Sequence, residues 1–128
     1  MESTRLPLES ESVDIVILNH LIEHINDTEF FMGTIIRVLK PGACLYVRTP
    51  NIKKVGASFW DDYTHVKPFT FTSLKHLMAT YQLEEKFSFH SNSSRMNIDT
   101  LTNGFFRKYL LNRIFGDKEI EAGYILNK

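Results

Sequence analysis

The run Val13-Asp14-Ile15-Val16-Ile17-Leu18 constrains the fold more than any other part of the chain. It is short, rich in β-branched residues and apolar on both faces, the pattern of a strand buried inside a parallel sheet. A helical period follows it. Asn26 or Asp27 can cap that helix, with Glu29 in its first turn. Phe31, Ile35, Val38 and Leu39 repeat at helical spacing, and Lys40-Pro41-Gly42 stops the helix.

The alternation continues. Ala43–Val47 reads as a second strand, and an irregular segment runs from Thr49 to about Phe71. Thr72 is placed to cap another helix, with Leu74, Leu77, Met78 and Tyr81 on one face. Glu85–Phe89 alternates, with Phe87 and Phe89 on one side, as a third strand does. Ser91–Asn97 is a polar loop, a helix covers about residues 99–115 and ends at Gly116, and Gly123–Leu126 is a last short strand. Strands alternating with helices predict an α/β sheet in a single domain, and 128 residues are enough to bury a core.

Charge excludes some partners. Fifteen Lys and Arg balance fifteen Asp and Glu, so no basic field recruits nucleic acid or anionic lipid. The single Cys44 cannot form an internal disulfide, and it reads as a buried thiol in a reducing compartment. No cationic start precedes an apolar run, and the expected location is cytoplasmic.

His20, Glu23 and His24 spell H-x-x-E-H, the inverted zinc-peptidase string. That chemistry needs both histidines one turn apart on a helix, with the glutamate beside a metal-bound water. Here His20 directly follows a strand, the helix is better capped at Asn26 or Asp27, and no acidic ligand in a helical setting stands out downstream. The peptidase reading is set aside.

A larger set of motifs runs in order. It comprises Leu6-Pro7-Leu8, Ser12-Val13-Asp14-Ile15-Val16, Leu21-Ile22-Glu23-His24-Ile25 and Arg37-Val38-Leu39-Lys40-Pro41-Gly42. Asp62-Tyr63-Thr64-His65-Val66-Lys67-Pro68-Phe69-Thr70 follows. Together they resemble the second half of a class I S-adenosylmethionine-dependent methyltransferase of the type 11 group. The resemblance covers residues 5–90, and residues 98–128 match only as a C-terminal helix and last strand.

The resemblance implies a truncated, Rossmann-like class I methyltransferase fold. Val13–Leu18 would be the fourth strand of a doubly wound sheet, and ligands in such sheets sit at the carboxyl ends of strands. Asn19, His20 and Leu21 occupy that end, so they would line the methionine side of S-adenosyl-L-methionine. The first half of such a domain carries a glycine-rich loop and an acidic residue for the ribose. The glycines here are 33, 42, 56, 104, 116 and 123, and none forms G-x-G. The expectation is a chain that lacks the N-terminal cofactor-binding half and binds the cofactor poorly alone. Without its neighbour, the strand at residues 13–18 would be an exposed apolar edge, which predicts self-association through it.

The implied activity is methyl transfer to a small-molecule, lipid-linked or glycan acceptor. Methyl transfer needs alignment and, for a hydroxyl acceptor, a base. His24 and His65 are the candidate catalytic residues, because imidazole titrates near neutrality. Each also has an ordinary structural reading, as a helix-start hydrogen-bonding residue and as a loop histidine. Some relatives hold a divalent metal with Glu-x-x-Glu-His plus further ligands. The matching positions are His20, Glu23 and His24, with His65 as a fourth. The first departs from that pattern, so no metal is assigned. The aromatic and basic segment from Gly104 to Gly116 reads as a core or lid helix, the alternative being an interfacial helix touching membrane or a lipid-linked acceptor. The competing class is non-catalytic: a half-domain acting as a dimerisation or partner-binding module.

Overall fold

A computed structural model describes residues 5–91 and 118–127. Strand β1 (Val13–Asn19) leads through a single 3-10 turn at Ile22–His24 into helix α1 (Thr28–Val38). Strand β2 (Leu39–Pro50) follows, then the one-turn helix α2 (Ile52–Val55) and a 3-10 segment at Gly56–Asp61. Helix α3 (Phe71–Thr80) precedes strand β3 (Leu83–Ser91), and strand β4 (Glu119–Leu126) closes the described chain.

The four strands form one sheet in the order β1-β2-β4-β3. β1 and β2 are parallel, with Ile15 opposite Cys44 and Leu18 opposite Val47. β4 inserts between β2 and β3 and runs antiparallel to both. The sheet is therefore mixed. The last strand enters it four residues earlier than the alternation predicts, at Glu119 rather than Gly123.

Local chemistry explains the helix starts. Asp27 accepts a hydrogen bond from the Phe30 amide at 2.9 Å and caps α1. The α3 cap is Thr70, two residues before the expected Thr72. Thr70 and Ser73 satisfy each other's backbone amides in a capping box, a pairing Thr72 does not make. α1 ends at Val38, before Lys40-Pro41-Gly42. Those three residues lie within β2, where three extra residues separate the Leu39 and Cys44 pairings with β1. Gly42 sits there at φ +79°, a left-handed conformation that glycine adopts without a Cβ clash.

The core lies on one face of the sheet. Leu45 and Val47 of β2 and Ile120, Ala122, Tyr124 and Leu126 of β4 bury against Met32 and Ile35 of α1 and Leu74 and Met78 of α3. On the opposite face Ile15 and Ile17 are 61% and 65% exposed, so β1 is not buried on both sides as its composition predicts. No described element covers that face of β1; α1 and α3 pack on the other. The same face carries Tyr46, Phe87 and Phe89, with the two phenylalanine rings stacked at 6.0 Å. Cys44 is only half-buried, because it shares this open face. The irregular segment from Thr49 to Phe71 contains α2 and the 3-10 segment, and it is anchored by a bridge between Asn51 and Phe69. No helix among the described residues is long and apolar enough to cross a membrane. The predicted helix at 99–115 and the Gly104–Gly116 segment lie outside the described residues.

Candidate functional site

The carboxyl ends of β1 and β2 and the start of β4 meet at one edge of the molecule, where Asn19 pairs with Arg48 and Pro50 with Glu119. The chain leaves β1 through His20, a non-glycine residue at φ +49°. Such a conformation costs of order 1–3 kcal/mol and persists only where surroundings enforce it. Here the His20 amide donates to the Arg48 carbonyl at 2.9 Å. Its ring lies between two carboxylates, with Nδ1 3.3 Å from Glu23 Oε1 and Nε2 3.3 Å from Glu119 Oε1. Hydrogen bonding to Glu119, then to Glu23, raises the His20 pKa to about 9, against the opposing pull of desolvation. His20 is thus an imidazolium at neutral pH and has no lone pair to give a metal.

Glu119 is further held by Arg48, whose Nε donates to Oε2 at 2.6 Å. Arg48 also approaches Glu121, and Glu121 accepts the hydroxyl of Tyr46. These residues join β2 to β4 through buried charge. Nothing local in the sequence announces them, because the pairing depends on β4 entering the sheet beside β2.

Glu23 is fully buried on the 3-10 turn after β1. The Thr49 hydroxyl donates to its Oε2 at 3.0 Å. Its Oε1 has the His20 ring as its near partner, with Nδ1 at 3.3 Å. The Glu23 carbonyl accepts the amides of Val66 and Lys67 at 2.9 and 3.1 Å. Those two bonds dock the loop at residues 62–67 onto the turn, and so bring together residues far apart in sequence.

His24 and His65 meet through that docking. Their ring centroids are 4.7 Å apart. His24 Nδ1 lies 2.9 Å from Thr64 Oγ1 and 3.2 Å from the Thr64 carbonyl, and Nε2 lies 4.0 Å from Glu23 Oε1. His65 Nδ1 lies 2.7 Å from the Phe59 carbonyl, and its ring stacks on Phe59. Asp62 accepts both the amide and the hydroxyl of Thr64, and these bonds hold its carboxyl below the usual carboxylate range. Trp60 and Tyr63 stand exposed beside this cluster, Tyr63 at 95%.

The H-x-x-E-H string therefore does not place its histidines together on a helix. His20 stands before the turn and faces Glu119, while His24 faces Thr64 and His65. One carboxylate oxygen of Glu23 and one ring nitrogen each of His24 and His65 lie within 4.8 Å of one another. That trio has the spacing and donor types for a divalent ion of intermediate softness. Asn19 is exposed and Leu21 half-buried at the carboxyl end of β1.

Residues 1–47 match the family model described as "Methyltransferase domain". A Mycolicibacterium smegmatis protein named as an S-adenosylmethionine-dependent methyltransferase is 46% identical over 46 residues, 36% of this chain and 18% of that protein. The ubiquinone biosynthesis O-methyltransferase of Rhizobium rhizogenes is 42% identical over 41 residues, 32% of this chain and 16% of that protein. A methyltransferase solved in complex with the Haloferax volcanii Trm112 activator superposes with a TM-score of 0.72 at 16% identity. That superposition covers 96% of this chain and 58% of the archaeal one, and at such identity it shows the fold alone. The fold is the Rossmann-like one of S-adenosylmethionine-dependent methyltransferases.

Proposed function

We propose, on the premise that this chain belongs to the class I S-adenosylmethionine-dependent methyltransferases, that it forms the acceptor side of a site for methyl transfer to oxygen. The acceptor is a hydroxyl-bearing small molecule, free or lipid-linked, or a glycan. The observation that carries this reading is the meeting of His24 and His65 beside buried Glu23, at the end of the sheet where such folds bind ligands. As the acceptor oxygen bonds to the methyl carbon, its proton must leave, and the imidazole of His24 or His65 is the group that would take it. An oxygen acceptor is also what the name of the Rhizobium relative states of that protein.

The family's cofactor, S-adenosyl-L-methionine, supplies an electrophilic methyl group when bound. Asn19 and Leu21 offer an exposed amide and an apolar flank for its methionine end. His20 adds a fixed positive charge and the turn itself rather than a free ring, since both its nitrogens face carboxylates. Calorimetric titration with S-adenosylhomocysteine tests the cofactor side. Transfer of labelled methyl to a panel of hydroxylated aromatics and sugars tests the acceptor side. Removing a general base costs 10²- to 10⁴-fold in rate, so His24→Asn and His65→Asn should each slow turnover, the true base in that range. Full activity in both variants would sink the base assignment.

One observation favours a metal-assisted version. Glu23 Oε1 and one ring nitrogen each of His24 and His65 lie within 4.8 Å of one another, close enough to share one ion. A divalent ion on Glu23, His24 and His65 would polarise the acceptor hydroxyl. Metal analysis of the purified chain, with and without chelator, separates this version from simple base catalysis. The non-catalytic reading draws on a different feature, the exposed Ile15 and Ile17 of edge strand β1. In that reading the chain pairs with a second copy through β1.

A further inference from the structure

We propose that Asp62 and Thr64 are positioning residues that lock His24 with a ring proton on Nδ1, leaving Nε2 as the nitrogen on the Glu23 side of the ring. The inference deepens the base role given to His24 and rests on that reading for its functional meaning. The geometry that carries it is a chain of donors and acceptors that runs from Asp62 through Thr64 to Nδ1 of His24.

The chain starts at Asp62, whose carboxylate is exposed and can only accept. Its Oδ1 lies 2.9 Å from the Thr64 amide and 2.5 Å from Thr64 Oγ1. The single hydroxyl proton of Thr64 is therefore directed at Asp62. Oγ1 then has only lone pairs to offer the His24 ring at 2.9 Å. The Thr64 carbonyl, 3.2 Å from the same ring nitrogen, is also only an acceptor. Two acceptors facing Nδ1 fix the proton there, because in a neutral imidazole one nitrogen donates and the other accepts. Nε2 is the remaining ring nitrogen, 4.0 Å from Glu23 Oε1.

Free histidine in water favours the opposite tautomer, with the proton on Nε2. The assignment is thus a change the protein imposes rather than the default. His65 shows the same device with a different holder. Its Nδ1 lies 2.7 Å from the Phe59 carbonyl, which fixes that proton without any help from Thr64. The two rings consequently both carry their proton on Nδ1. The docking of Val66 and Lys67 amides onto the Glu23 carbonyl keeps Thr64 in register with His24.

The experiment is long-range ¹H–¹⁵N correlation spectroscopy on the histidine-labelled chain, at a pH where the imidazoles are neutral. Wild-type His24 is expected to show a protonated Nδ1 and a bare Nε2. Thr64→Val should move population toward the Nε2–H form, and Thr64→Ser should restore the wild-type pattern. His65 should hold its tautomer in all three proteins and so report that the loop is still folded. A wild-type His24 protonated on Nε2 overturns the proposal even if no variant folds. So does a Thr64→Val spectrum identical to wild type with His65 intact. Unimpaired methyl transfer in His24→Asn, beside a wild-type His24 that shows the Nδ1–H signature, would sink the base role and leave the relay standing.

Discussion

His20 Nε2 lies 3.3 Å from Glu119 Oε1, and this contact ties the turn after β1 to the first residue of β4, across the intervening end of β2. Glu119 is nearly buried and also holds Arg48, so the contact belongs to a charged network rather than to a surface pair. Partial exposure of His20 weakens its share by solvent screening.

That contact predicts a pH effect on stability. The folded pKa of His20 is raised from 6.5 to about 9, chiefly by Glu119 and then by Glu23. A raised pKa means that its stabilisation is complete below about 6.5 and is lost as pH rises through about 9. Urea unfolding across this window should show falling stability in the wild type. His20→Asn should flatten the dependence, since asparagine tolerates the left-handed backbone but carries no charge. An unchanged slope in the variant would assign the pH effect to other groups.

The α3 cap gives a simpler test. Thr70 and Ser73 form a reciprocal capping box. Thr70→Ala should lower unfolding stability by about 1 kcal/mol, whereas Thr72→Ala should change it by a few tenths at most, as exposed helix positions do. Equal losses would argue that the helix starts elsewhere.

Gly123 and Phe87 should be coupled. A Cβ at position 123 would lie 2.3 Å from Phe87 Cε1, so the ring has to swing away from the sheet. Gly123→Ala should cost on the order of 1–3 kcal/mol, as overpacking does. The same change in a Phe87→Ala background should cost far less. A double-mutant cycle with no coupling would mean that the ring does not rest over Gly123.

The exposed β1 face predicts association. Ile15 and Ile17 present apolar surface beside a strand edge that no other described strand pairs. Size-exclusion chromatography with light scattering should find the wild-type chain larger than a monomer. Ile17→Lys should shift it toward one. A wild-type monomer at high concentration would count against pairing through β1.

The candidate metal trio predicts selective loss. If Glu23, His24 and His65 hold a divalent ion, His65→Ala should weaken cobalt binding at least tenfold, since one ligand of three is gone, while His20→Asn should leave it nearly intact. The reverse order would return His20 to the ligand set.

Some of this protein is written in its sequence. Val13–Leu18, the Asp27 cap and the periods of α1 and α3 are local patterns, and local patterns are set by backbone propensity and by the period of apolar residues. They gave the α/β class, the strand at β1 and the histidines at the end of it. Other features needed the assembled sheet. Composition makes β1 apolar on both faces, but burial depends on what packs against each face, and the described elements cover only one. Glu119 meets His20 because β4 enters between β2 and β3, a choice of strand order that no short window records. His24 meets Thr64 and His65 because two amides of a distant loop dock on one carbonyl of Glu23. The sequence by itself determined β1, α1, α3 and the α/β class. Tertiary structure decided which histidine sits between two carboxylates and which two meet each other, because the charge of a ring depends on neighbours that only folding brings within hydrogen-bonding range.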